Sequence, residues 1–168
     1  MKELVQQPID WFKRFVIASP ITGRCLPLHD INSAPLQLGA WGTGVALAPG
    51  NQRVYKLPGW ECHSVSADRR DWYLVANEQG ATLKIHLRIW PQETDLPIAF
   101  ESDDDDTLFT LSPHVFHGAG SCLISMTVPH HPKLSWHPRY GKVTALSSAP
   151  ITLYAGAVLP AEESNEKE

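Results

Sequence analysis

The punctuation of this chain predicts an all-β fold, an antiparallel sandwich or barrel-sandwich with little helix. Three observations carry that expectation. Turn residues recur roughly every eight to twelve positions: S-P-I-T-G at 19 to 23, H-D-I-N-S-A-P at 29 to 35, A-P-G-N at 48 to 51, L-P-G at 57 to 59 and N-E-Q-G at 77 to 80. The 14 prolines and 11 glycines leave little room for long helices. The runs between turns are short and extended, and the clearest of them alternates apolar and polar residues along its whole length.

Taken in order, the N-terminal segment 1–17 stands apart from the sandwich domain expected over 18–158. After Pro8 it suits a short helix, with Trp11, Phe12 and Phe15 on one side and Lys13 and Arg14 beside them. Such a segment fits peripheral contact with a membrane surface through Trp11, Phe12 and Phe15, or the capping of an open end of the sandwich. Strands are expected over 24–29, 43–48, 52–56, 60–66, 72–76, 81–90, 107–111, 121–128 and 150–155. The acidic run Asp103 to Asp106 falls between strands and reads as a solvated, self-repelling loop, since it lacks the alternating ligands and turn glycine of a calcium loop. Residues 159–168 form a charged tail of the kind that stays disordered.

The stretch Gly80 to Trp90 carries the chemistry. In a strand, Leu83, Ile85, Leu87 and Ile89 face one way, while Thr82, Lys84, His86, Arg88 and Trp90 face the other. The first set is core. The second displays an imidazole between two cations, which suits an anion, a phosphoryl group or an acidic partner, or else is simply a solvated polar face.

Size and charge narrow the classes. A chain of 168 residues with 43% hydrophobic content can bury one sizeable core. A net charge of -4, with only 14 scattered Lys and Arg, argues against nucleic acid as a partner. Cys25, Cys62 and Cys122 are odd in number and widely spaced, which fits reduced thiols better than a disulfide framework or a zinc knuckle. No apolar run approaches the roughly 18 residues of a membrane span, and no secretory signal pattern opens the chain. The histidines His114, His117, His130, His131 and His137 gather late in the sequence, but their spacing does not set two imidazoles on one ion. Neither an H-x-H pair nor a G-x-S-x-G elbow occurs, so hydrolase chemistry is not indicated.

Several segments in order resemble a known family. S-P-I-T-G-R-C-L-P-L-H-D-I at 19 to 31, G-T-G-V-A-L-A-P at 42 to 49, R-V-Y-K-L-P-G at 53 to 59, G-A-T-L-K-I-H-L-R at 80 to 88, H-G-A-G-S-C-L-I-S-M at 117 to 126 and A-P-I-T-L-Y-A at 149 to 155 resemble the glucose-type enzyme IIA of the bacterial phosphoenolpyruvate-dependent sugar phosphotransferase system. The resemblance spans 18 to 156 and is thinnest over 91 to 112. It implies a cytoplasmic bacterial β-sandwich of the glucose-permease IIA type that carries a phosphoryl group on a histidine, from HPr to a permease IIB domain. It also implies regulatory contacts with permeases, glycerol kinase and adenylate cyclase, and calls for no cofactor.

His86 takes the position of the family's phosphoryl acceptor, and the departures from the pattern cluster around it. Asp71 stands where the second histidine belongs, and Arg69 replaces the threonine that orients the pair. Thr82 replaces the acid early in the signature strand, Arg88 a glycine and Trp90 an aspartate. Thr43 takes the acid's place in the glycine-acid-glycine turn. Two classes of function follow. A degenerate, regulatory paralogue would bind partner proteins through the face around His86, with Arg88 and Trp90 as interface side chains. A working phosphocarrier, a transferase in class, would use His86 as nucleophile, Asp71 to hold the ring, and Lys84, Arg88, Arg69 and Arg70 for charge. Metal binding by His86 and Asp71 is the weakest of the readings, and no metal is expected.

Overall fold

Alternation, rather than helical spacing, governs the chain almost from its start. A computed structural model describes residues 1–90, 97–116 and 122–161. Fourteen strands run in chain order among these residues: β1 Lys2–Glu3, β2 Lys13–Ile17, β3 Gly23–Pro27, β4 Thr43–Pro49, β5 Arg53–Tyr55, β6 Glu61–Val65, β7 Asp71–Glu78, β8 Ala81–Trp90, β9 Ala99–Phe100, β10 Thr107–Leu111, β11 Leu123–Val128, β12 Leu134–Pro138, β13 Gly141–Val143 and β14 Ile151–Ala155. One short helix, α1 Ala34–Gln37, and two 3₁₀ turns complete the fold. The expected all-β sandwich is what forms, and every expected strand overlaps an observed one. The start of the eighth expected strand and most of the tail lie outside the described residues.

Three sheets enclose the core. The largest has the order β13-β3-β4-β11-β8-β7-β6, facing a sheet ordered β1-β12-β14-β2 and a smaller one ordered β5-β10-β9. Alternate side chains of each meet inside: Phe15, Ile17, Leu153 and Trp136 from one sheet, Val54 and Phe109 from the second, and Leu47, Leu74, Ile85, Leu87, Ile89 and Met126 from the large sheet. Trp72 stacks on Phe109 at 4.4 Å between ring centroids and ties the large sheet to the small one. Every side chain expected on the inner face of β8 is buried.

The N-terminal segment departs from expectation. Residues 13–17 form a strand, not a helix, hydrogen-bonded along β14 from Ile17↔Ile151 to Lys13↔Ala155. The reason is visible in the residues: Phe15 and Ile17 point into the core with a period of two, and β-branched Val16 and Ile17 suit the pleat. The aromatic trio is thereby split. Phe15 is 2% exposed and cannot touch a membrane, whereas Phe12 is 81% exposed. Trp11 packs on Tyr154 with the Arg14 guanidinium over its ring.

Two local features set the geometry of the site. The β7–β8 hairpin closes through Gln79 and Gly80, both at positive φ, a two-residue turn whose twist matches the paired strands. That turn fixes the register from Glu78↔Ala81 out to Tyr73↔His86 and Asp71↔Arg88. On the other side of β11, Gly44 lies so close that a Cβ would sit 1.9 Å from the Met126 carbonyl oxygen. The acidic run forms a turn closed by its own hydrogen bonds: Asp104 accepts from the Asp106 N–H, the Thr107 hydroxyl and the Arg53 guanidinium. The Asp106 and Thr107 bonds, with Arg53 beside them, hold its carboxyl below the usual carboxylate range.

Candidate functional site

His86 sits mid-strand on the outward face of β8, and its surroundings follow from register. Tyr73 lies directly across on β7 and stacks on the imidazole, with ring centroids 4.5 Å apart and planes 9° from parallel. Trp41, from the loop between α1 and β4, meets the ring edge-on at 5.6 Å. Asp71, two residues from Tyr73 on the same face, reaches diagonally so that its Oδ1 lies 2.7 Å from His86 Nε2. His86 is therefore no solvated surface histidine: its side chain is only 14% exposed.

Asp71 serves two partners. Its Oδ2 accepts from Arg88 Nη1 at 2.6 Å, and its side chain is as buried as the histidine's. The carboxylate is placed by the turn that begins β7, where the Asp71 N–H donates to Ser66 Oγ and the Ser66 N–H donates to the Asp71 carbonyl. The Arg88 guanidinium lies over the rings of Trp90 and Trp41, 5.0 and 5.6 Å from their centroids. Those two indoles stack on one another at 5.6 Å, and the Trp90 N–H donates to Ser125 Oγ at 2.8 Å. An imidazole, a carboxylate and a guanidinium thus form one hydrogen-bonded chain between aromatic walls.

The remaining expected residues are not all gathered here. Lys84 is on the same face, one pleat along, and helps line an open groove of about 480 Å³ with His63, Ser64, Tyr73, His86 and Pro129. Arg69 points away: it sits in the turn before β7 at φ 58° and pairs with Glu101 at 2.9 Å. Thr43 lies two strands from β8, paired with Val128, and its buried hydroxyl finds no partner among the described residues. Thr82 bonds Asn77 across the hairpin end. Sequence reasoning missed Tyr73 and Trp41. The period of two from Asp71 was a usable signal for Tyr73; Trp41 arrives from a loop and had none.

The late histidines stay apart. His130 meets the N-terminal amine, His137 the Leu4 carbonyl, His131 the Lys133 N–H and His114 the Ser112 hydroxyl, while His117 lies outside the described residues. Among the described residues no three His, Cys, Asp or Glu side chains cluster as metal ligands. Nor is any helix there long and apolar enough to cross a membrane.

No protein-family model and no curated protein matches the chain. Among solved structures it is similar to a glucose permease IIA from Mycoplasma capricolum, with a TM-score of 0.62 over 85% of this chain and 99% of that one. The chain has a glucose-permease IIA fold. At 14% identity the likeness is one of fold, so the chemistry of this IIA fold's outer face must be argued from its own side chains.

Proposed function

We propose that this IIA-fold protein is a regulatory or adaptor relative of the sugar phosphotransferase system, working in the bacterial cytoplasm and binding partner proteins through the face around His86. The observation that carries the reading is the Asp71–His86–Arg88 chain itself, because it ties His86 Nε2 and Arg88 Nη1 to one carboxylate. A phosphoryl acceptor needs an unprotonated nitrogen open to in-line attack, with cationic donors around the incoming oxygens. Here Nε2 is hydrogen-bonded to a carboxylate, and the nearest guanidinium bonds that same carboxylate. A negative charge beside the acceptor also repels an incoming phosphoryl group.

What the face offers instead is contact surface. Tyr73 is 42% exposed and lines the groove with Lys84 and His86. Trp41, Trp90 and Arg88 form a half-buried cluster in contact with His86 through Trp41. Tyr, Trp and Arg are the side chains that most often dominate interface energetics. The partners this supports are HPr-like and permease IIB-like proteins, or the regulatory targets of such carriers. Binding should be measured against these candidates with wild type and with Tyr73→Ser and Lys84→Glu, both exposed and harmless to the core. Loss of about 1–3 kcal/mol of binding energy in Tyr73→Ser is expected, whereas unchanged affinity in both variants removes the groove from the interface. The carrier alternative is decided separately by incubation with phosphoenolpyruvate, enzyme I and HPr. Acid-labile phosphohistidine that disappears in His86→Ala would replace the adaptor reading with a working phosphocarrier.

A further inference from the structure

We propose that Asp71 is a tethered anion, filling a small-oxyanion site built by His86 and Arg88 and so keeping free phosphate and phosphoryl donors off the imidazole. The inference deepens the adaptor reading and rests on it for its biological meaning, since a face plugged by its own carboxylate presents partners with one fixed charge pattern.

The donors of this site have supports besides Asp71. His86 is held by stacking on Tyr73 and by the edge of Trp41, and Arg88 by lying over the Trp90 and Trp41 rings. Asp71 occupies the position between them with one oxygen to each, Oδ1 to Nε2 and Oδ2 to Nη1. Arg88 Nε plays no part in the site, because on a guanidinium the Nε–H points along the edge shared with Nη2, away from Nη1. A tetrahedral oxyanion can set one oxygen against each of the same two donors, Nε2 and Nη1. Phosphate also brings more negative charge to the imidazole and guanidinium than a carboxylate does. The site therefore suits phosphate, and acetate less well.

Wild type, Asp71→Ala and Asp71→Ser are titrated with inorganic phosphate and with acetate. Binding is followed through the His86 imidazole resonances and tryptophan fluorescence, with circular dichroism to confirm the fold. Wild type is expected to stay silent, while Asp71→Ala saturates with phosphate affinity on the order of tenfold or more above wild type, as gaining charge-assisted hydrogen bonds requires. Acetate should bind that variant more weakly than phosphate, and Asp71→Ala/Arg88→Met should lose the response. Asp71→Ser repeats the test if the alanine variant does not fold. Saturable phosphate binding by wild type at the variant's affinity overturns the proposal, as does a folded Asp71 variant that binds neither ion. No partner protein is present, so the plug can fail while partner binding stands, and the reverse.

Discussion

Ser125 has no solvent exposure, and its hydroxyl accepts the Trp90 N–H at 2.8 Å. A buried hydroxyl deprived of its donor is costly in a way that removing both partners is not. Trp90→Phe and Ser125→Ala should each destabilise the protein by about 1–2 kcal/mol, with the double variant costing about 1 kcal/mol less than their sum. Urea unfolding midpoints of the four proteins measure this, and strict additivity would mean that the bond contributes nothing. The same residues show what could be read in advance. His86 and Asp71 were found from their places in a resembling pattern, and the structure brings them within 2.7 Å. Arg69 was matched by position too, but a residue at φ 58° before the strand does not follow the strand's alternation, and its side chain goes to Glu101. Positional matching carries a side chain to a site only where the backbone is regular.

At the scale of elements, legibility followed period and turn chemistry. β8 was plain because ten residues alternate without interruption, and the turn before it because N-E-Q-G at 77 to 80 ends in a glycine. The two-residue Gln79-Gly80 hairpin, with Gln79 at φ 51°, was not legible, since glutamine carries no preference for positive φ. β2 was misread because Trp11, Phe12 and Phe15 fit a helical stripe as well as a strand, and only pairing with β14 decides between them. β12 and β13 were missed because prolines and glycine crowd their ends, and their order comes from long-range partners β14 and β3. The tight β4–β11 approach makes a sharp test of element packing. A methyl at Gly44 would lie 1.9 Å from a backbone oxygen, whereas one at Gly59 meets nothing within 4 Å, though Gly59 has φ +80°. Gly44→Ala should cost about 3 kcal/mol or more by forcing strands apart, and Gly59→Ala only about 1 kcal/mol from its backbone conformation. Thermal unfolding of both variants checks the ranking, and equal losses would show that β11 gives way freely.

For the whole molecule, the two buried thiols tie global stability to alkaline pH. Cys25 and Cys122 are free and buried, and burial pushes their thiols from 9.0 up to about 12 and about 11. The folded state therefore keeps protons that the unfolded chain gives up first. The sign follows: with more protons bound in the native state, stability falls as pH rises. The contribution is whole below pH 9.0 and is lost between there and about 12 for Cys25, and between there and about 11 for Cys122. Tyr140, raised to about 12 mainly by burial, adds to the decline at the upper end, as do groups elsewhere, so the thiols must be isolated by difference. Urea unfolding of wild type and of Cys25→Ala/Cys122→Ala from pH 8 to 11 provides it. The double variant should start less stable by about 1–3 kcal/mol, because small cavities replace the sulfur atoms, and then lose stability less steeply above pH 9. Parallel curves would mean that the thiols ionise alike in both states. Exposed Cys62 gives an internal control within wild type: its thiol is also raised, first by partial burial and then by Glu101, so its alkylation is slow at neutral pH. Raising the pH should speed Cys62 labelling at once, while Cys25 and Cys122 react only as the whole fold opens, so the three thiols separate local exposure from global unfolding.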